Sequence, residues 1–441
     1  MSRARQGGAV WLGVLLTLAL VAGGWLLTVM DGKAIQLAHD YRSEQALTQA
    51  REALIDYALT YADAHPGEVP GYLPCPDWEG GNPEGSAEIV CGARNVSALG
   101  RFPWRTLNLP LQRDGDGECL WYAVSGNYKN NPKTELMNPD TWGQFEVWGA
   151  DGSQLAGREA AQRAVAVVFA PGMALDGQAR STAAFATLCG GNYTATNYLD
   201  HPTGYDNAAT VAQPNALSRF LSGRKEGAND RLAYITAGDV FAALLKRADF
   251  RQRLGSLAQA TAECLAAYAD ERLAHPALPW AAPLVLDSYG ANASYNDQSG
   301  LYAGRVPYLV DTSKAAGGGA ISGTVLLNAA NCPASWGGMD AWWGNWKDHL
   351  FYVLAPSQAP GGQAGGCCLT VNGQGAYVAV ILFAGDALAG QSRADKGRLA
   401  GYLEGRNAGL GNDLQSGPAT PGFDDLLYCV DASFAVQPCP S

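Results

Sequence analysis

The chain has 441 residues, 41 acidic against 30 basic side chains, a net charge of −11 and a pI near 4.9. That balance argues against a nucleic-acid surface built on excess positive charge, and the length allows two domains of ordinary size, each with its own core. Residues 1–8 are short and basic, with Arg3 and Arg5. Residues 9–30 then form an apolar run without a charged side chain, long enough at about 1.5 Å per residue to cross a hydrocarbon layer of about 30 Å. The helical pattern continues through a polar, Ala-rich stretch to Ala64. There Leu47, Ala50, Leu54, Tyr57, Ala58 and Tyr61 recur every three or four residues, as on one buried helix face.

A basic leader ending in Gly8, an apolar half-helix and an amphipathic second half together resemble the N-terminus of type IV pilins and of the pseudopilins of type II secretion. The resemblance implies that a prepilin peptidase cuts between Gly8 and Ala9, and that the partners are other pilin or pseudopilin subunits. It also implies an α+β fold, with a long membrane-inserted N-terminal helix followed by heads in which a helix packs on an antiparallel sheet. Two departures stand out: the first mature residue is Ala9 rather than Phe, and the fifth is Gly13 rather than Glu. Loss of that Glu resembles the minor subunits at a fibre tip. An uncleaved signal anchor and a conventional signal peptide are the alternative readings. All three leave the N-terminus in the cytoplasm of a bacterial cell, and the pilin and anchor readings make the chain a single-pass inner-membrane protein with its heads in the periplasm.

All ten cysteines follow residue 74, and none forms a C-x-x-C pair. With five scattered histidines this favours disulfides in an oxidising compartment over zinc. Cys75–Cys91 and Cys429–Cys439 are the natural local pairs, and the adjacent Cys367 and Cys368 are expected to seek different partners.

The remainder reads as one unit written twice, about 210 residues apart. Leu54, Tyr57 and Ala58 before Ala64-His65-Pro66 match Leu265, Tyr268 and Ala269 before Ala274-His275-Pro276. Gly100-Arg101 matches Gly304-Arg305, and the apolar strands 120–124 and 165–170 match 350–354 and 378–383. Gln178 and Arg180 match Gln391 and Arg393. Segments 197–200 and 229–234 match 401–404 and 424–428. Each copy therefore predicts a helix, a Gly/Pro/Asn-rich loop and a few short strands. The expected organisation is a leader at 1–8, a long helix at 9–64 with its membrane span at 9–30, a first head at 65–248 and a second at 249–441.

Motifs that carry catalysis are absent: there is no G-x-S-x-G, H-E-x-x-H, P-loop or dinucleotide fingerprint, so the chain reads as a structural or binding protein rather than an enzyme. His65 and His275 read as helix ends before proline, and His39, His201 and His349 as structural or solvated side chains. Alternating Asp114, Asp116 and Glu118, with Gly115 and Gly117 between them, offer hard oxygen ligands on a loop able to curl around calcium, a feature the pilin resemblance also implies. The competing reading is a polar turn. Trp342, Trp343 and Trp346 form a cluster suited either to binding a sugar or protein partner at the distal head or to filling a core. Together these features point to a minor or tip subunit of a type IV pilus or secretion pseudopilus, with an assembly or adhesive role. The alternative is an uncleaved, membrane-anchored periplasmic binding protein.

Overall fold

The computed structural model describes residues 7–79, 83–134, 136–180, 188–272, 277–310, 324–361 and 368–441. Helix α1 runs unbroken over Gly7–Ala64, 58 residues or about 87 Å. It stops where Pro66 disfavours helical geometry in the preceding residue. The sequence spacing has its physical basis here: Leu47, Ala50, Leu54, Ala58 and Tyr61 are all buried.

The first half of α1 departs from the sequence reading. No helix among the described residues is long and apolar enough to cross a membrane. On α1 the described apolar side chains before the heads are a short run at 14–19, about 9 Å of rise, and then Ile35 and Leu37 set among polar residues. From Lys33 charged and polar side chains return, with Gln36, His39, Asp40, Arg42 and Glu44 following, so the described side chains hold no continuous apolar stretch of membrane length. The expected membrane-inserted helix over 9–30 and the single-pass inner-membrane placement are therefore corrected. What α1 supplies is a long helix whose second half is bound to a folded body.

That body contains two sheets. The first comprises β1 (Ala98–Arg101), β2 (Trp121–Val124), β3 (Phe145–Gly149), β4 (Gln154–Ala156), β5 (Ala164–Ala170), β6 (Ser218–Ser222) and β7 (Arg231–Thr236). Its backbone is the antiparallel series β1-β2-β5-β7, with β3 on one end of β5, β4 beside β3, and β6 parallel to β3. Strand β5 is buried along its whole length, as its run of Ala, Val and Phe requires. Val168 and Ala170 join the layer under α1, while Val167 and Phe169 join a second layer with Trp121, Tyr198 and Phe220.

Two helices follow, α2 (Ala237–Leu244) and α3 (Ala248–Arg272). Thr236 caps α2 through a reciprocal pair of hydrogen bonds with Asp239. The second half adds β8 (Ala303–Arg305), a small ladder of β9 (Leu309–Val310) with β10 (Thr324–Val325), and α4 (Asp340–Trp346). After these come β11 (Leu350–Leu354), β12 (Leu369–Val371), β13 (Gln374–Phe383), β14 (Asp413–Leu414), β15 (Leu426–Asp431) and β16 (Val436–Pro438). Its central series is β8-β11-β13-β15, with α3 packed on β13 and β15.

The two series correspond in register as well as order. Gly100 faces Tyr122 and Arg101 faces Trp121; Gly304 faces Tyr352 and Arg305 faces Phe351. Val168 faces Ala233, as Ile381 faces Tyr428. Gly100 and Gly304 serve the same purpose, because a Cβ at either would lie 2.7 Å from the Asp77 carbonyl or 2.1 Å from that of Ala282, the loop backbone closing the edge strand. The helices that cover the two sheets are the second half of α1 and α3.

The heads share one core. Phe250 of α3 packs on Trp342 at 5.6 Å, Phe241 of α2 on Trp346 at 6.2 Å, and a single apolar cluster extends from Leu47 to Val430. Disulfides join Cys75–Cys91, Cys119–Cys189, Cys264–Cys332 and Cys429–Cys439. Both expected local pairs are formed. Cys368 is also disulfide-bonded, and Cys367 lies outside the described residues, as does His275.

Candidate functional site

The acidic loop 113–119 docks on α1. A Cβ on Gly115 would come within 2.0 Å of the His39 carbonyl, so glycine is what lets the loop backbone touch the helix, and Gly117 at φ +89° completes the turn. Asp114 is buried beneath it. Its Oδ1 accepts from the backbone N–H of Asp116 and Glu118, both at 2.9 Å, and its Oδ2 from Gly172 at 2.7 Å. Asp116 reaches back to His39 Nδ1 at 2.9 Å, and Glu118 pairs with Arg180 at 3.4 Å. The three carboxylates thus take separate partners and brace the loop against helix and sheet.

The tryptophans belong to the interior. Trp342, Trp343 and Trp346 on α4 are buried, Trp343 to 1% exposure, among Phe241, Phe250, Tyr295, Tyr308 and Trp336. Of the two sequence readings, the structure gives core filling rather than a binding surface. Gly8 and Ala9 lie in the first turn of α1, with side chains outside the described residues.

Two constellations were not legible in the sequence. The first lies where the heads meet. Asn138 and Asp140, on the loop between β2 and β3, enter the second half just ahead of β11. Asn138 Nδ2 donates to the Asn345 carbonyl and to Asp348 Oδ1, both at 2.8 Å. Asp140 Oδ2 lies 3.2 Å from Nε2 of the fully buried His349, near enough for an ion pair but not aligned for a hydrogen bond. Arg393 Nη1 stands 3.6 Å from Asp140 Oδ1, and Lys396 pairs with Asp348. Burial alone would raise Asp140, yet its carboxyl is held well below the usual range by His349, Arg393 and Lys396. For Asp348, burial is likewise outweighed, by Lys396 and His349, and its carboxyl is also lowered.

The second constellation is a buried polar network built twice. In the first head Asn207 Nδ2 donates to Asp230 Oδ2 at 2.8 Å, the Asp200 N–H donates to the same oxygen at 2.8 Å, and Gln178 Nε2 donates to Asp200 Oδ1 at 3.2 Å. In the second head Asn407 donates to Asp425 Oδ2 at 2.9 Å, the Glu404 N–H donates to it at 3.0 Å, and Gln391 donates to Glu404 at 2.8 Å. Tyr198 stacks with Arg101 and Arg180, and Tyr402 with Arg305 and Arg393. Burial and the neighbouring Glu404 push Asp425 up to about 8 against its hydrogen bonds, and burial pushes Asp424 up to about 6. Asp230 is raised well above its ordinary value by burial and by Asp200. Carboxyls raised in this way keep a proton to higher pH than an ordinary aspartate, Asp425 further than Asp424.

Among the described residues, Glu404, Asp424 and Asp425 bring one ligand atom each within 4.8 Å of one another, an all-oxygen set of the kind hard cations take; Asp140, Asp348 and His349 do so too, with one nitrogen among the three. In the second set Arg393 and Lys396 already supply the positive charge. Comparison of the chain with protein-family models, curated proteins and solved structures finds no match.

Proposed function

We propose that this protein is a pilin-like fibre subunit, present in few copies at a fibre end, whose uncovered first half of α1 packs against the helices of neighbouring subunits while the paired heads project from it. The observation that carries this reading is the apolar, solvent-facing surface of that half-helix. Leu15, Leu16 and Leu18 are each about 60% exposed, and Ile35, Leu37 and Tyr41 continue the exposed surface towards the heads. Exposed apolar patches on an otherwise acidic protein mark a surface that another chain covers. Helices bearing such surfaces associate through ridges and grooves, without needing a formed pocket. Two heads fused through one core make a bulky projection, which suits an end position better than a repeating one. The basic leader ending at Gly8 supports the same reading, because it supplies a processing junction directly before the packing helix.

The test is co-expression with a prepilin peptidase and the other subunits of a fibre system. The mature mass should lack residues 1–8, and Leu15→Cys and Leu18→Cys should each form crosslinks to a partner subunit's N-terminal helix. An N-terminus that stays intact, with no crosslink from either cysteine, would overturn the reading.

A further inference from the structure

A polar cleft of about 370 Å³ opens beside the Asp140–His349 pair, walled by Asn95, Asn127, Trp142 and Arg163 from the first head and by Gly290 and Lys396 from the second. The charges around it are unequally committed. Lys396 is paired with Asp348, and Asp140 lies against His349 and Arg393. Arg163 ends the turn before β5; its backbone N–H donates to the Ala160 carbonyl, but its side chain makes no ion pair or hydrogen bond among the described residues, and its Nε is buried without an acceptor. Asn95 Oδ1 is likewise buried without a donor.

The backbone holds these groups in place. Asn95 and Asn215 both adopt the left-handed conformation, at φ +60° and +59°, and the Asn215 N–H donates to the Asn95 carbonyl at 2.8 Å. Gln144 donates to the same carbonyl at 2.9 Å, and Asn127 donates to the Trp142 carbonyl at 3.2 Å, fixing the indole segment at the cleft wall. Unpartnered buried polar atoms cost stability unless something else satisfies them.

We infer that this cleft binds an acidic saccharide, its carboxylate received by Arg163, its hydroxyls by the amide of Asn95, and one face of its ring by Trp142. A guanidinium fork matches a carboxylate bidentately, an amide oxygen accepts from a sugar hydroxyl, and an indole covers the apolar face of a pyranose. The volume lies within the range of small-molecule sites, about 300–1,000 Å³. Because walls come from both heads, the ligand bridges them. The site does not depend on assembly through α1.

Calorimetric titration of the full chain with glucuronic acid, glucose and inorganic phosphate tests this assignment. Glucuronic acid should bind at least about tenfold more tightly than glucose, the scale of a charge-assisted pair of hydrogen bonds. Arg163→Gln should remove that preference, and Trp142→Ala should weaken both sugars. If Arg163→Gln does not fold, Arg163→Lys, which keeps the charge and loses the fork, should still lower the preference. Equal binding of acid and neutral sugar, phosphate matching glucuronic acid, no heat from glucuronic acid at millimolar concentration, or an unaltered preference in the Arg163 variants would each overturn the assignment.

Discussion

Asp140 of the first head and His349 of the second, 3.2 Å apart and both buried, form a charged contact across the junction of two halves that repeat one another in fold. Asp140 lies outside the segments that match between the two copies, which run to 124 and resume at 165. The contact is particular to the junction rather than part of the duplicated plan.

Asp140→Asn should therefore loosen the junction more than an average substitution. It leaves His349 and Arg393 buried beside a neutral group, and breaking such a contact from one side costs about 3 kcal/mol. Urea denaturation should show that loss, and a double-mutant cycle with His349→Gln should show coupling rather than additivity. Because Asp140 and Asp348 are both lowered, the stability they contribute is present above the unfolded carboxylate range and is lost as pH falls below about 4.

Asp425 has the opposite sign. Its folded value of about 8 stands above the unfolded 3.8, so the folded state holds a proton that the unfolded chain releases. The contribution is fully present below pH 4 and declines as pH rises through 8. Asp425→Asn keeps an oxygen to accept from Asn407 and Glu404 and removes the titration. The variant should be the more stable protein at pH 8, by about 2 kcal/mol, with a flatter stability profile from pH 4 to 8. A profile as steep as the wild type's would show that the slope arises elsewhere.

Asp114→Ala should destabilise the protein by about 2 kcal/mol, since three partly buried backbone N–H groups lose their acceptor. Melting curves with and without a chelator read this directly. As a loop brace, the loss is the same in both. A chelator effect in the wild type that disappears in Asp114→Ala would instead assign calcium to the loop.

Trp343→Ala should cost about 4 kcal/mol, as large core truncations do. The same truncation at a sugar- or protein-binding surface would leave folding nearly untouched, so a thermal melt distinguishes the two roles.

The central strands and the repeat were legible because their signals are local, whereas the strand order was not. Apolar runs such as 165–170 and 378–383 can hardly be anything but central strands, and paired blocks such as Gly100-Arg101 and Gly304-Arg305 put both copies in one register. The amphipathic half of α1 was legible for the same reason, through Leu47 to Tyr61. The apolar run at 9–30 misled because hydropathy alone does not state what covers a helix. Asp140 and His349 lie too far apart in sequence for any spacing rule to join them, and a lone histidine in a loop carries no mark of its partner. The tryptophans of α4 could not be placed because an aromatic cluster has one signature whether it faces water or a second head. Gln178 and Arg180 match Gln391 and Arg393 in sequence, yet spacing carries no sign of the buried network in which each glutamine reaches, through Asp200 or Glu404, a buried Asp230 or Asp425.

The way α1 is fastened also makes the molecule a mechanical element. Arg51 donates to the Tyr234 carbonyl at 2.9 Å and pairs with Asp239 at 2.8 Å, while Asp40 holds Arg231 at 2.8 Å and Arg224 at 3.1 Å. Tension on the helix therefore enters the body at β7, which is paired antiparallel with β5 over six positions. A pull along α1 is thus passed into the sheet of the first head through β7, and into the start of α3 through Arg247, which donates to the Leu59 carbonyl.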